Sequence, residues 1–165
     1  MPFLPGPMEL RVDGWSVGAR FSVSHYIPRH EKCGRLHGHT YAVGCVFRGD
    51  IADSGDMMVD FIAVKRALRE LCDELDHHVL VPTENPHSRV EVEGEEVVVT
   101  TRDKRYVFPA EDVRLLPIRS TTAERLAEWF TDRLLERLDL PDTVTHLDLG
   151  IEEGQGQGAW AHRDL

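Results

Sequence analysis

The sequence predicts an α+β fold, two helices lying over one face of an antiparallel sheet. Three observations carry it. Apolar and polar side chains alternate strictly over residues 15–26 and again over 37–48; the alternation returns in "VTHLDLGIEE"; and two helical periodicities lie between these runs. In the first strand Trp15, Val17, Ala19, Phe21, Val23 and His25 share one face, opposite Ser16, Gly18, Arg20, Ser22 and Ser24. In the second, His37, His39, Tyr41, Val43, Cys45 and Phe47 share a face, and "IPRHEKCGR" is the loop between the two.

Asp60 is placed to cap a helix running to about Glu74, with Phe61, Val64, Leu68, Leu71, Cys72 and Leu75 at helical spacing. "LDHH" ends it. The runs "RVEVEG", "EEVVVTT" and "KRYVF" over 89–108 predict a small hairpin or meander, within a β-rich insert at about 87–117. A second helix opens at "STTAE", where Thr121 and Glu124 have capping-box spacing. Its buried stripe is Ala123, Leu126, Ala127, Phe130, Leu134 and Leu138. "PDT" breaks it. Leu147, Leu149 and Ile151 then mark one face of the next strand, "GQGQG" turns, and "AWAH" supplies a short last strand.

The 165 residues are one domain's length, and 41% hydrophobic with 29% charged residues is ordinary globular composition. A net charge of −10 argues against nucleic acid as a partner. No run of 18 apolar residues predicts a membrane span, and "MPFLPGPMEL" lacks the pattern of a secretory signal. Three widely spaced cysteines do not make a disulfide framework and fit a reducing cytoplasm. Cys45 and Cys72 fall at apolar-periodic positions and read as small core residues, whereas Cys33 lies in a polar loop. Only three lysines stand against sixteen arginines, a bias compatible with a salt-adapted or thermophilic source.

His37 and His39 are two apart on a strand and project to the same face. An antiparallel hairpin brings His25, at the far end of the preceding strand, beside them. Three neutral imidazoles leave a fourth position of a tetrahedral metal open, as catalytic zinc sites do. Zinc is the default, while iron, copper and nickel also suit imidazole. Cys33, four residues before His37, is either a fourth ligand closing the site or a base or nucleophile beside an open one. Arg29, His30, Lys32 and Arg35 surround it and concentrate positive charge on an acidic chain, which points to an anionic substrate. Asp76 followed by His77 is a carboxylate able to orient a proton-shuttling imidazole, although alone the pair equally suits a helix end.

"FSVSH", "CGRLHGH", "MMVDF", "LDHHVL", "STTAERLA" and "LGIEE", in that order, resemble the 6-pyruvoyl-tetrahydropterin synthase family over about residues 15–153, the insert excepted. Three residues between the cysteine and His-Gly-His is the spacing of its 6-carboxytetrahydropterin synthase branch; the 6-pyruvoyl branch usually has a longer gap. The resemblance implies the tunnelling fold, in which subunits join their sheets into a barrel, generally as a homohexamer built from two trimers. It implies conversion of 7,8-dihydroneopterin triphosphate to 6-carboxy-5,6,7,8-tetrahydropterin, with release of acetaldehyde and triphosphate, toward 7-deazaguanine nucleosides such as queuosine or archaeosine. It implies zinc on His25, His37 and His39, Cys33 as general base, and Asp76 with His77 as a proton relay facing the cysteine of a neighbouring subunit. The pterin anchor in the family is a glutamate in step with the apolar residues of its strand. Leu147, Leu149 and Ile151 put Glu153 in step, with Glu152 the alternative. Gly154 stands where the family usually has threonine, and the insert is a second departure. Arg29, Lys32 and Arg35 are the candidates for the anionic part of the substrate. A 6-pyruvoyl-tetrahydropterin synthase or another dihydroneopterin-processing enzyme is the nearest rival. A zinc-stabilised pterin- or purine-binding protein without turnover is the rival of another class.

Overall fold

The computed structural model describes residues 6–51 and 55–165, so the first five residues of the N-terminal stretch read above lie outside the described residues. The elements are β1 (Met8–Val12), α1 (Gly14–Val17), β2 (Arg20–His25), β3 (His37–Gly49), α2 (Phe61–Leu75), β4 (His78–Pro82), β5 (Ser88–Glu93), β6 (Glu96–Thr101), β7 (Lys104–Pro109), β8 (Val113–Leu116), α3 (Ala123–Leu135), β9 (Val144–Glu153) and β10 (Gly158–Asp164). One mixed sheet has the order β10-β9-β3-β2-β4-β8, and β1 pairs with β3 alongside β2. All pairings from β10 to β2 are antiparallel, as is β1 with β3. β4 and β8 extend the sheet in parallel. Parallel neighbours need a long crossover. Between β4 and β8 that crossover is the separate three-stranded sheet β5-β6-β7, the meander expected from its alternating runs.

The helices α2 and α3 cover one face of the large sheet. Phe21, Tyr41, Val43, Phe47, Leu147, Leu149 and Ile151 meet Leu68, Leu71, Leu126 and Phe130 in one buried cluster. Phe130 stacks on Phe21 with ring centroids 5.4 Å apart. Cys45 and Cys72 lie in this core as free thiols, and burial pushes both up to about 12. Among the described residues, no helix is long and apolar enough to cross a membrane.

Three details differ from the sequence reading. Trp15 to Val17 are a helical turn, and the strand starts only at Arg20. The Asp13 side chain accepts from the Ser16 amide at 2.7 Å and caps the turn, while Gly18 closes it at φ 73°, a conformation open to glycine at little cost. The alternation in 15–19 was therefore local coincidence overruled by caps. The cap of α3 is Thr122, whose side chain accepts from the Arg125 amide, and not Thr121. Thr121 is fully buried and bonded elsewhere, as described below. Phe61 sits at the first position of α2 and is 48% exposed, because the helix has not yet turned its stripe inward. The short strands β1, β4 and β8 carry no periodic run long enough to have been read.

The two phenylalanines separate helix periodicity from real burial. Phe130→Ala should cost about 3–5 kcal/mol by cavity formation. Phe61→Ala should cost under about 0.5 kcal/mol. Urea unfolding of both variants checks this; equal losses would contradict the packing described.

Candidate active site and metal centre

The register of the β2–β3 hairpin builds the site. His25 is paired directly with His37, and Val23 with His39, so the three imidazoles meet at one end of the sheet. Ring centroids lie 4.7 Å apart for His25 and His37, 5.2 Å for His25 and His39, and 4.9 Å for His37 and His39. Possible ligand atoms of all three fall within 4.8 Å of one another. Modest side-chain rotations would bring them to the roughly 2.0–2.1 Å bonds of a histidine-held zinc.

Two of the rings are oriented by carbonyls. His25 Nδ1 donates to the Thr121 carbonyl at 3.0 Å, with Thr121 Oγ1 at 3.1 Å. His37 Nδ1 donates to the Arg35 carbonyl at 2.6 Å. A carbonyl can only accept, so each Nδ1 carries the proton and each Nε2 lone pair is left for a metal. Burial, with smaller contributions from His37 and His39, lowers His25 to about 4, which keeps it neutral and able to ligate. Burial also lowers His39, partly opposed by Glu153. The donor set fits a metal.

A cavity of about 310 Å³ opens beside the histidines. His25, His37, Cys33, Glu153, Thr122 and Gln157 are among its walls. Glu153 Oε1 lies 3.3 Å from His39 Nε2, and Glu153 Oε2 accepts from the Tyr41 hydroxyl at 3.1 Å. Tyr41 is fully buried, and its hydroxyl is also 3.4 Å from His25 Nε2. Burial and the Glu153 carboxylate push its phenol upward, so it stays a donor. Glu152 faces the other side of the strand and accepts from the Trp15 indole. Tyr41 and Thr121 were not singled out as site residues from the sequence. The signal for Tyr41 was its phase, the next inward position after His39. Thr121 had none beyond its place before α3.

Cys33 sits half-buried in the β2–β3 loop. Its carbonyl accepts from the Ile27 amide at 2.7 Å, and its amide donates to His30 Nδ1 at 2.9 Å. Arg29, Lys32 and Arg35 are exposed around it and do not line the cavity. Asp76 and His77 are not brought to this cavity within one chain. Asp76 Oδ1 accepts from the Ser22 amide at 2.7 Å, and Oδ2 accepts from His77 Nδ1 at 2.7 Å. Although burial opposes it, these hydrogen bonds lower the Asp76 carboxyl below its usual range. The His77 backbone is left-handed at φ 60° and its amide donates to the Ser22 carbonyl at 2.7 Å. The pair is thus preformed, with the His77 side chain 82% exposed.

Fold and site together define a small α+β protein in which three histidines fit to hold a metal stand beside a ligand-sized cavity. The family model for 6-pyruvoyl tetrahydropterin synthase matches residues 15–164, and the chain belongs to that family. A Methanocaldococcus jannaschii protein with the provisional name 6-carboxy-5,6,7,8-tetrahydropterin synthase is 38% identical over 154 residues, 92% of this chain and 94% of that one. The 6-carboxy-5,6,7,8-tetrahydropterin synthase of Aquifex aeolicus is 33% identical over 123 residues, 74% of this chain and 67% of that one. The crystal structure of Plasmodium vivax 6-pyruvoyl tetrahydropterin synthase superposes with a TM-score of 0.88 at 28% identity, covering 97% of this chain and 99% of that one.

The ligand set makes a direct prediction. His37→Ala should lose most of its bound metal by elemental analysis of the purified protein, and Cys33→Ala should keep it. The reverse ranking would show that Cys33 is a ligand and the three-histidine set is wrong.

Proposed function

We propose that the chain is a zinc-dependent lyase that converts 7,8-dihydroneopterin triphosphate and water to 6-carboxy-5,6,7,8-tetrahydropterin, acetaldehyde and triphosphate. The reaction would serve 7-deazaguanine biosynthesis in the cytoplasm. The observation that carries this reading is that Cys33, His25, His37 and Glu153 line one cavity, with His39 in contact with Glu153. The names of the sequence relatives and the three-residue gap between Cys33 and His37 support the 6-carboxy reaction over its neighbours.

His25, His37 and His39 would hold the zinc, which supplies a Lewis acid that makes hydroxyl-bearing carbons of the substrate side chain more acidic. Glu153 would accept hydrogen bonds from the 2-amino-pyrimidinone edge of the pterin, held in place by the Tyr41 hydroxyl. Cys33 would take a proton from the side-chain carbon nearest it. Asp76 and His77 of a neighbouring subunit would return one from another side, with Asp76 fixing the His77 tautomer through Nδ1. Arg29, Lys32 and Arg35, exposed on the Cys33 loop, would meet the triphosphate in solvent. The working form would be a homohexamer of two trimers, in which sheets join edge to edge.

A second reading, 6-pyruvoyl-tetrahydropterin formation, is favoured by the names of the close structural neighbours. A pterin-binding protein without turnover would not need Cys33 in the cavity wall. Product identification decides among them. Mass spectrometry of the purified protein with 7,8-dihydroneopterin triphosphate should find 6-carboxytetrahydropterin and acetaldehyde. Glu153→Ala should lose pterin binding while Glu152→Ala keeps it. A pyruvoyl product would replace this reading with the second one, and bound but unaltered substrate would leave only the binding protein.

A further inference from the structure

The insert that carries β5–β7 meets the Cys33 loop at three separate places. At the root of the loop, Tyr26 is fully buried in a second small core with Val97 and Val99 of the insert. Its ring stacks on Tyr106 with centroids 6.0 Å apart, and its hydroxyl bonds Ser88 Oγ at 2.9 Å. In the middle of the loop, Arg29 Nη1 lies 3.3 Å from His87 Nε2. At the far end, Lys104 Nζ donates to the Gly34 carbonyl at 3.3 Å, one residue from Cys33. We propose that the β5–β7 sheet is a clamp that sets the position of the Cys33 loop, with Ser88, Lys104 and Tyr106 as positioning residues.

The loop needs outside support. Its internal backbone bonds run from Ile27 to Cys33, His30 to Ile27, Gly34 to His30 and Arg35 to Lys32, but Arg29, His30, Glu31, Lys32, Arg35 and Leu36 are all exposed and give these bonds little apolar cover. Arg29 adopts φ 69°, which a side chain with a Cβ occupies only under constraint. Segments with few buried contacts open locally at little cost. A plain crossover between β4 and β8 would account for the apolar packing of the insert on Val81 and Val113. It would not account for polar bonds made from its first strand and from its last strand to opposite ends of one loop. A cysteine displaced by about 1 Å loses much of its catalytic value, since misplacement of that size costs up to roughly 10²-fold. Tyr26 follows His25 directly, so the clamp also bears on the histidine end of the site.

This inference takes the role of Cys33 from the proposed function, but it can be read without turnover. Cys45 and Cys72 are buried, so iodoacetamide followed by mass spectrometry reports Cys33 in the folded protein. The double variant Ser88→Ala, Lys104→Ala removes two polar contacts and leaves the apolar core of the insert intact. Its Cys33 should alkylate roughly fivefold faster or more, as expected for the loss of about two hydrogen bonds. Metal content should be unchanged, and kcat should fall roughly tenfold with little change in KM. Lys104→Arg, which keeps a donor, should stay near the parent in both readouts. Parental alkylation and kcat in the double variant would overturn the clamp, and would leave the product identification untouched. Conversely, faster alkylation would support the clamp even if the product proved to be a different pterin.

Discussion

The site depends on one register, the pairing of His25 with His37 across the β2–β3 hairpin. Side chains alternate strictly along a strand, so a one-residue slip of β2 would turn His25 outward and bring Ser24 in. The same slip would expose Phe21 and Val23, which are buried under α3 and α2. The apolar core therefore fixes the register, and the register places the histidines. The energy that holds the three histidines in line comes from aromatic and aliphatic burial several residues away. Thr121 ties the other side, because the residue just before the α3 cap accepts from His25 Nδ1. Helix docking and imidazole orientation are one arrangement.

Glu153 contacts His39 with one carboxylate oxygen and Tyr41 with the other. Tyr41 in turn approaches His25. β3 pairs with both β2 and β9, and Tyr41 is opposite Glu153 in that ladder. The central strand of the sheet thus carries the link between Glu153 in the cavity wall and the residues suited to holding a metal.

Much of this was legible in the sequence because the side-chain pattern and the chemistry coincide. Alternation in "FSVSH" and "HGHTYAV" named both strands and put three histidines on one face. The phase of Leu147, Leu149 and Ile151 pointed Glu153, not Glu152, toward that face, and the structure finds Glu153 in the cavity wall and Glu152 against Trp15. What was not legible came from short elements and from caps. "MELRV" and "VRLL" are too short for periodicity to speak, and Asp13 with Gly18 bent a stretch whose alternation argued for strand. Thr121 and Thr122 are both reasonable caps in sequence. Only the burial of Thr121 against His25 assigns the cap to Thr122. The polar contacts between the insert and the Cys33 loop join residues more than fifty positions apart and have no local signature.

Within one chain, Cys33 lines the cavity and the Asp76–His77 pair does not. In the proposed assembly a neighbouring subunit closes this gap. Cys33→Ala and His77→Ala should each be nearly inactive, since acid-base groups contribute roughly 10²–10⁴-fold. The most direct measurement is the activity of oligomers assembled from both variants together and verified as mixed by native mass spectrometry. Shared sites predict partial recovery, because some interfaces would unite an intact Cys33 with an intact His77. Mixed oligomers as inactive as either parent would contradict the account and return all three residues to a single chain.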